Sequence, residues 1–198
     1  MTSSLPAGLR ERKKAKTRLA IREHALRLFE EQGYASTTVE QIAEAAEVSQ
    51  STFFRYFPTK EDVILIDDYD PVIVAAIKSQ PPQVSHVQAL VNGMRSVFDN
   101  LTEQEWDAER RRQRIYQSVP ELRARALNQM VLAVDMLADA LAVRDDRSGE
   151  ELEYRVIAGA LVGVVLAIAP PGGDEYDPRD FGRIEQALGI LEEKLSRR

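Results

Sequence analysis

Residues 37–60, TTVEQIAEAAEVSQSTFFRYFPTK, constrain this chain more than any other stretch. Val39, Ile42, Ala43 and Ala46 recur at the i, i+3, i+4, i+7 spacing of a helix with one buried face. Thr37 and Glu40 fit the capping box that would open it. Glu47 and Val48 make a short break, and Ser49 is then a second N-cap for a helix of about two turns over 50–56. Helices this short bury too little to stand alone and must dock on a neighbour. The spacing predicts a helix-turn-helix.

Its second helix divides by side. Phe53 and Phe57 lie four apart and face inward with Val48, which leaves Gln50, Ser51, Thr52, Phe54, Arg55 and Tyr56 for the other faces. Amide and hydroxyl side chains reach base edges in the major groove, and Arg and Tyr hold bases or phosphates. Together with Thr37, Thr38 and Ser49 at the helix starts, these are the candidate DNA-contacting residues. Thr59, with Asp62 three residues on, caps the next helix, and Lys60 in its first turn would add a charge where backbone N–H groups already attract phosphate.

Residues 17–63 add an apolar-striped helix ending in F-x-x-x-G-Y, then T-T-V, I-A, V-S, an aromatic-rich second helix and F-x-x-K-E, in that order. This run resembles the DNA-binding domain of the tetracycline-repressor (TetR) family of bacterial transcription regulators. The resemblance implies an all-α protein of about nine helices. A three-helix DNA-binding domain would occupy residues 1–60, and a larger helical effector-binding and dimerisation domain residues 61–198. Two positions depart from the family pattern. Glu47 stands where a turn glycine is common, at a cost of about 1 kcal/mol if the backbone there has positive φ. Phe54 stands where many members have Tyr, which removes a hydroxyl that could reach phosphate.

The net charge of −6 would argue against nucleic acid were it evenly spread. Residues 1–60 instead hold ten Lys/Arg and seven Asp/Glu, a net +3, leaving −9 for the rest. Arg10, Arg12, Lys13, Lys14, Lys16 and Arg18 form a basic arm running into the first helix, suited to phosphate or minor-groove contact. That helix carries Ile21, Ala25, Leu28 and Phe29 inward and stops at Gly33. With no cysteine there is neither a disulfide nor a thiolate metal site, the N-terminus lacks the apolar stretch of a signal peptide, and the longest apolar run, 156–171, is too short to span a bilayer. The expectation is a cytoplasmic protein with no membrane partner and no cofactor or metal.

Beyond residue 60 every segment reads as helix. Asp67, Asp68, Asp70 and Pro71 should end or kink the fourth helix near Asp70; Thr102/Glu105, Pro120, Ser148/Glu151 and Asp177/Pro178 mark later starts. Arg110, Arg111, Arg112 and Arg114 follow an acidic turn and read as an exposed helix laced by local pairs such as Glu109 with Gln113. The resemblance implies a small-molecule effector within the middle helices, and there Tyr69, Met94, Phe98, Trp106, Tyr116 and Met130 are the candidates, with Met136 beside them. The all-round apolar run VIAGALVGVVLAIA needs cover on every side. Gly159, Gly163, Val164 and Ile168 from it, with Phe181, Ile184, Leu188 and Leu191 from the last helix, are the candidate homodimer interface about a two-fold axis.

The predicted function is a ligand-responsive, homodimeric regulator of a pseudo-palindromic operator in double-stranded DNA, a repressor released by its effector. Its two histidines, His24 and His86, lie far apart, and no nucleophile elbow or P-loop occurs, so nothing points to an enzyme. The competing reading is a helical ligand-binding or adaptor protein whose helix-turn-helix only packs. The basic arm and Lys60 argue against it.

Overall fold

Ten helices and no strand occur among the residues that the computed structural model describes, 8–66, 68–147, 152–168 and 181–196. They are α1 (Leu9–Gln32), α2 (Val39–Ala45), α3 (Gln50–Tyr56), α4 (Asp62–Leu65), α5 (Asp70–Lys78), α6 (His86–Phe98), α7 (Glu103–Ser118), α8 (Pro120–Arg144), α9 (Leu152–Ile168) and α10 (Phe181–Ser196). The chain divides into two units, one of residues 1–66 with 106–122 and the other of 67–105 with 123–198. The first unit thus extends six residues past the boundary expected at 60 and takes in most of α7.

The first unit is built on Ile21, Ala25, Leu26 and Phe29 of α1, which meet Ile42 and Ala43 of α2, Phe53 and Phe57 around α3, and Val63 and Ile64 of α4. Ile115 of α7 and Leu122 of α8 complete this core. Removing such side chains from water stabilises by about 1.5–3 kcal/mol each, which is what allows three helices of seven residues or fewer to hold their shape. Gly33 ends α1 with φ +86°, a backbone angle that favours glycine. At the turn between α2 and α3 the expected positive φ is present, +53° at Glu47, and the next amide, Val48 N–H, donates back to the carbonyl of Ala43 at 2.9 Å.

Two local expectations are corrected. The cap of α2 is Thr38, not Thr37: Thr38 Oγ1 accepts from the Gln41 amide at 3.3 Å, and Gln41 Oε1 accepts from the Thr38 amide at 2.9 Å. Thr37 is 1% exposed, and its hydroxyl donates to the carbonyl of Gly33 at 2.9 Å, tying the end of α1 to the start of α2. The fourth helix ends at Leu65 rather than near Asp70, and Pro71 sits in the first turn of a separate α5, so one expected helix is two. The Thr102/Glu105 box is present, with Glu105 Oε2 accepting from the Thr102 amide at 2.8 Å, and α8 opens at Pro120. The starts expected at Ser148/Glu151 and Asp177/Pro178 lie outside the described residues.

The second unit packs Ile73 and Ile77 of α5 and Ala89, Leu90, Val91 and Val97 of α6 on the last turns of α8, with Tyr154, Ala158, Leu161 and Val164 of α9 and Phe181 and Ile184 of α10. α5 and α6 approach so closely that a Cβ on Gly93 would lie 2.4 Å from Ile77 Cγ1. Arg144 at the end of α8 donates to the carbonyls of Pro81, at 2.8 Å, and Val84, holding the α5–α6 loop. α8 is long and apolar enough by length and composition to cross a membrane, but its Leu122 lies in the first core and its Leu137, Ala138, Ala140, Leu141 and Ala142 in the second.

Candidate nucleic-acid interface

Ser49 Oγ accepts from the Thr52 amide at 3.1 Å and fixes the first turn of α3. The same oxygen lies 2.9 Å from the hydroxyls of both Ser51 and Thr52, a three-hydroxyl cluster beside the exposed Gln50. At the other end, Arg18 of α1 donates from Nη1 to the carbonyl of Tyr56 at 2.7 Å and stacks 4.3 Å from the centre of the Phe57 ring. Phe53 and Phe57 are fully buried, as their spacing predicted. α3 is therefore capped at its start by a side chain, pinned at its end by a cation and anchored by two rings, while Gln50, Ser51, Phe54 and Arg55 stay exposed. Phe54 is 48% exposed, held edge-on against Phe53.

The basic arm is ordered helix from Leu9 onward. Arg10, Lys13, Lys14 and Thr17 recur at i, i+3, i+4, i+7 along α1, and with Arg55 and Tyr56 of α3 they line a groove of about 710 Å³. Among the described residues no carboxylate pairs with Arg10, Lys13, Lys14 or Arg55. Four positive charges around one groove with no carboxylate partner among the described residues make a strong local potential for an anion. Lys16 is exposed but does not line the groove.

Lys60 is placed otherwise than its position in the sequence implies. Its Nζ donates to the carbonyls of Tyr34, at 2.8 Å, and Thr37, at 3.0 Å, and stands 4.1 Å from the centre of the Tyr34 ring. Those bonds fasten the start of α4 to the turn between α1 and α2. With Thr37 buried and Thr38 and Ser49 engaged as caps, the residues left open at this face are Gln50, Ser51, Phe54, Arg55 and the arm.

The Arg-rich turn of α7 is more than the exposed, locally paired helix its sequence predicts. Arg111 donates to Glu23 Oε1 at 2.7 Å and Glu30 Oε2 at 2.8 Å, both on α1. Glu109, 8% exposed, is held by both arms of Arg112, at 2.6 and 2.8 Å, and Arg112 also donates to the carbonyl of Ile64 on α4 at 2.6 Å. Burial pushes the Glu109 carboxyl up, but Arg112, Arg22 and Gln113 outweigh it, and the group titrates below its ordinary range. Local pairs do occur, Arg110 with Asp107 at 3.1 Å and Arg112 with Glu109, while Glu109 with Gln113 is long at 3.5 Å. Partners 81 and 88 residues away leave no local signal in the sequence.

A family model for bacterial regulatory proteins of the tetR family matches residues 21–65, and one for the MftR C-terminal domain matches residues 84–195. The chain is 37% identical over 186 residues to the HTH-type transcriptional regulator TcmR of Streptomyces glaucescens, spanning 92% of this chain and 74% of that one. The chain belongs to the TetR family. A putative mycofactocin biosynthesis transcriptional regulator, MftR of Mycobacterium tuberculosis, is 24% identical over 79% of each chain. Among solved structures, the SmeT–triclosan complex shares the fold at a TM-score of 0.55 and 21% identity, over 88% of this chain and 91% of that one. The protein is thus a helix-turn-helix transcription regulator, and α2 and α3, inside the tetR-family match, mark the first unit as its reading head.

The TetR body does not gather all of its candidate effector residues. Tyr69 and Phe98 meet in a tilted contact with centroids 6.2 Å apart, Phe98 and Phe181 are 6.1 Å apart, and Met94 and Met136 pack on the same core. Trp106 and Tyr116 fall in the first unit instead, Tyr116 against the reading-head core, and Met130 packs against neither core. The interface candidates also separate. Val164, Phe181 and Ile184 are buried in the protomer's own core, with Ile168 and Leu188 packed against it. Gly163 and Leu191 are exposed and Gly159 is half-buried. The open apolar face of α9 runs through Leu152, Val156, Ala160, Gly163 and Ala167, and Ile190 and Leu191 of α10 are exposed as well.

Proposed function

We propose that this regulator is a homodimeric repressor that holds a pseudo-palindromic operator through α3 and the α1 arm and leaves it when a small molecule binds the body. The observation that carries the reading is the groove of unpaired cations beside the open face of α3. A module that only packs has no use for four uncompensated charges around one groove. Gln50 and Ser51 are placed for base edges and Arg55, Lys13 and Lys14 for phosphate. A protein with this task works where the chromosome is, in the cytoplasm.

The effector is proposed to lie against the Tyr69, Phe98 and Phe181 rings with Met94 and Met136. Binding there would favour the arrangement that reads DNA poorly, and a coupling of about 1–3 kcal/mol weakens the operator roughly 5–150-fold. For dimerisation, the exposed α9 stripe is the surface that a second copy would cover. A Cβ on Gly163 would meet nothing within 4 Å in the protomer, so Gly163→Leu should spare the monomer's core and act at the surface that a partner would cover. Sedimentation should show that variant as a monomer, and an unchanged dimer would remove α9 from the interface.

The direct test is enrichment of duplexes from a random pool by the purified chain, followed by fluorescence anisotropy on the selected duplex and on sonicated bulk DNA. Binding to the selected duplex should exceed bulk binding by about a thousandfold or more. Absence of any enrichment, with bulk DNA ignored at low salt, would overturn the reading.

A further inference from the structure

Helix α4 has only four residues, so the carbonyls of its last turn have no partner within the helix. Those of Val63, Ile64 and the following Ile66 are nevertheless occupied. Arg22 of α1 donates from Nε to the carbonyl of Val63 at 3.1 Å and from Nη2 to that of Ile66 at 2.7 Å. Arg112 of α7 donates from Nη1 to the carbonyl of Ile64, lying between those two, at 2.6 Å. Two guanidinium groups from two other helices thus cap one short helix end.

Two such cations side by side repel each other and lose hydration, and one buried carboxylate answers both. Glu109 grips Arg112 with both oxygens and lies close enough to Arg22 to be stabilised by its charge. Its position is set by α7, whose Ile115 lies in the reading-head core and whose Arg111 is bonded to Glu23 and Glu30 on α1. Ile66, the last residue of this unit's first segment, is extended, so these bonds hold the backbone of residues 63–66 where the chain leaves α4.

We propose that Glu109 and Arg112 are positioning residues for DNA binding: through Ile64 and Arg22 they hold the exit of α4 at the angle in which the reading head is competent. Neither side chain belongs to the proposed DNA-contacting face, and the inference rests on the operator-binding reading given above. If the fraction of chains with a competent exit falls to about a tenth when the tether is lost, apparent operator affinity falls about tenfold, with no contact to DNA removed.

Glu109→Gln alone would take from Arg112 the carboxylate it grips with both arms and could unfold the head. The decisive variant is the double replacement Glu109→Met, Arg112→Met, because exchanging a buried ion pair for apolar side chains of similar volume preserves or raises stability while abolishing the bond to Ile64. A second variant, Arg112→Lys, keeps the charge on Glu109 but gives up the fork that serves carboxylate and carbonyl together. The probes are the duplex enriched by the wild-type chain and sonicated bulk DNA, each read by anisotropy over a range of salt.

The double variant should melt within a few degrees of the wild type, bind the enriched duplex on the order of tenfold more weakly, and keep both its bulk-DNA affinity and its salt slope. Arg112→Lys should fall between the two. Wild-type binding by a folded double variant would overturn the proposal, as would loss of fold in both variants, which would assign the network to folding alone. If the wild-type chain bound bulk DNA but enriched no duplex, the operator reading would fail first, and this inference with it.

Discussion

The chain has two Arg/Lys-rich runs, one at the start of α1 and one in α7, and they have opposite uses. In the first, Arg10, Lys13 and Lys14 share a helical face, border a groove with Arg55, and have no carboxylate partner among the described residues. In the second, Arg111 is bonded to Glu23 and Glu30, and Arg112 to Glu109 and Ile64. Composition does not separate them, since each is a handful of cations within two helical turns. What separates them is where the acids are. The acids that answer α7 lie at Glu23 and Glu30 of α1 and in α7 itself, while no carboxylate lines the groove. A cation left unpaired by a fold rich in carboxylates is available to a partner, and one enclosed by them is part of the scaffold.

The largest effect should come from neutralising the unpaired run. Each phosphate contact adds about 0.9 to the slope of log affinity against log salt. Arg10→Gln, Lys13→Gln, Lys14→Gln together should therefore lower that slope by about 2.7 and weaken DNA binding some hundreds-fold at 0.1 M salt. Thermal stability should not fall, because no internal partner loses a bond. The comparison breaks if the triple variant melts earlier and keeps its salt slope.

The contrast also marks where the sequence was legible. Rules that act within a few residues were readable: the Ser49 cap, the Thr102/Glu105 box, the Gly33 stop, the strained Glu47 turn and the burial of Phe53 and Phe57. Thr37 and Thr38 could not be told apart, since either hydroxyl fits a cap and the choice is made by the pocket that the end of α1 offers Thr37. The resemblance implies a place for Trp106 and Tyr116 among the middle helices of the body, yet residues 106–122 fold with the reading head. The four interface candidates of α9 share one apolar run, and periodicity does not say that Val164 serves the protomer's core and Gly163 its surface.

The enclosed run should respond to pH where the open one does not. Burial opposes the charge on Glu109, but Arg112, Arg22 and Gln113 hold its carboxyl below the ordinary value of 4.5. A carboxyl depressed in the folded state contributes stability that is present above the unfolded value and is lost as pH falls through the folded one. Glu109→Gln should therefore cost about 3 kcal/mol at neutral pH, the effect of stranding a buried partner. The gap between variant and wild type should close as pH drops below 4.5. Urea midpoints at a series of pH values would show this, and a gap that persisted into acid would mean that Glu109 acts by shape rather than charge.

Lys60 makes the smallest and sharpest test, because its sequence position assigns it to the open set and its geometry to the enclosed one. At the start of α4 it reads as a phosphate contact, and its loss should then lower the salt slope by about 1. In the structure the ammonium is spent on the carbonyls of Tyr34 and Thr37 and on the face of the Tyr34 ring. A lysine that reached for phosphate would have to abandon two charge-assisted bonds at the hinge between α1 and α2, together worth about 1–2 kcal/mol at a partly exposed site. Lys60→Met keeps the apolar stem and removes only the charge. It should lower stability by about that amount and leave the salt slope of DNA binding unchanged. A slope lower by about 1 with unchanged stability would move Lys60 to the open set, and would mean that DNA competes successfully for a cation the fold already holds.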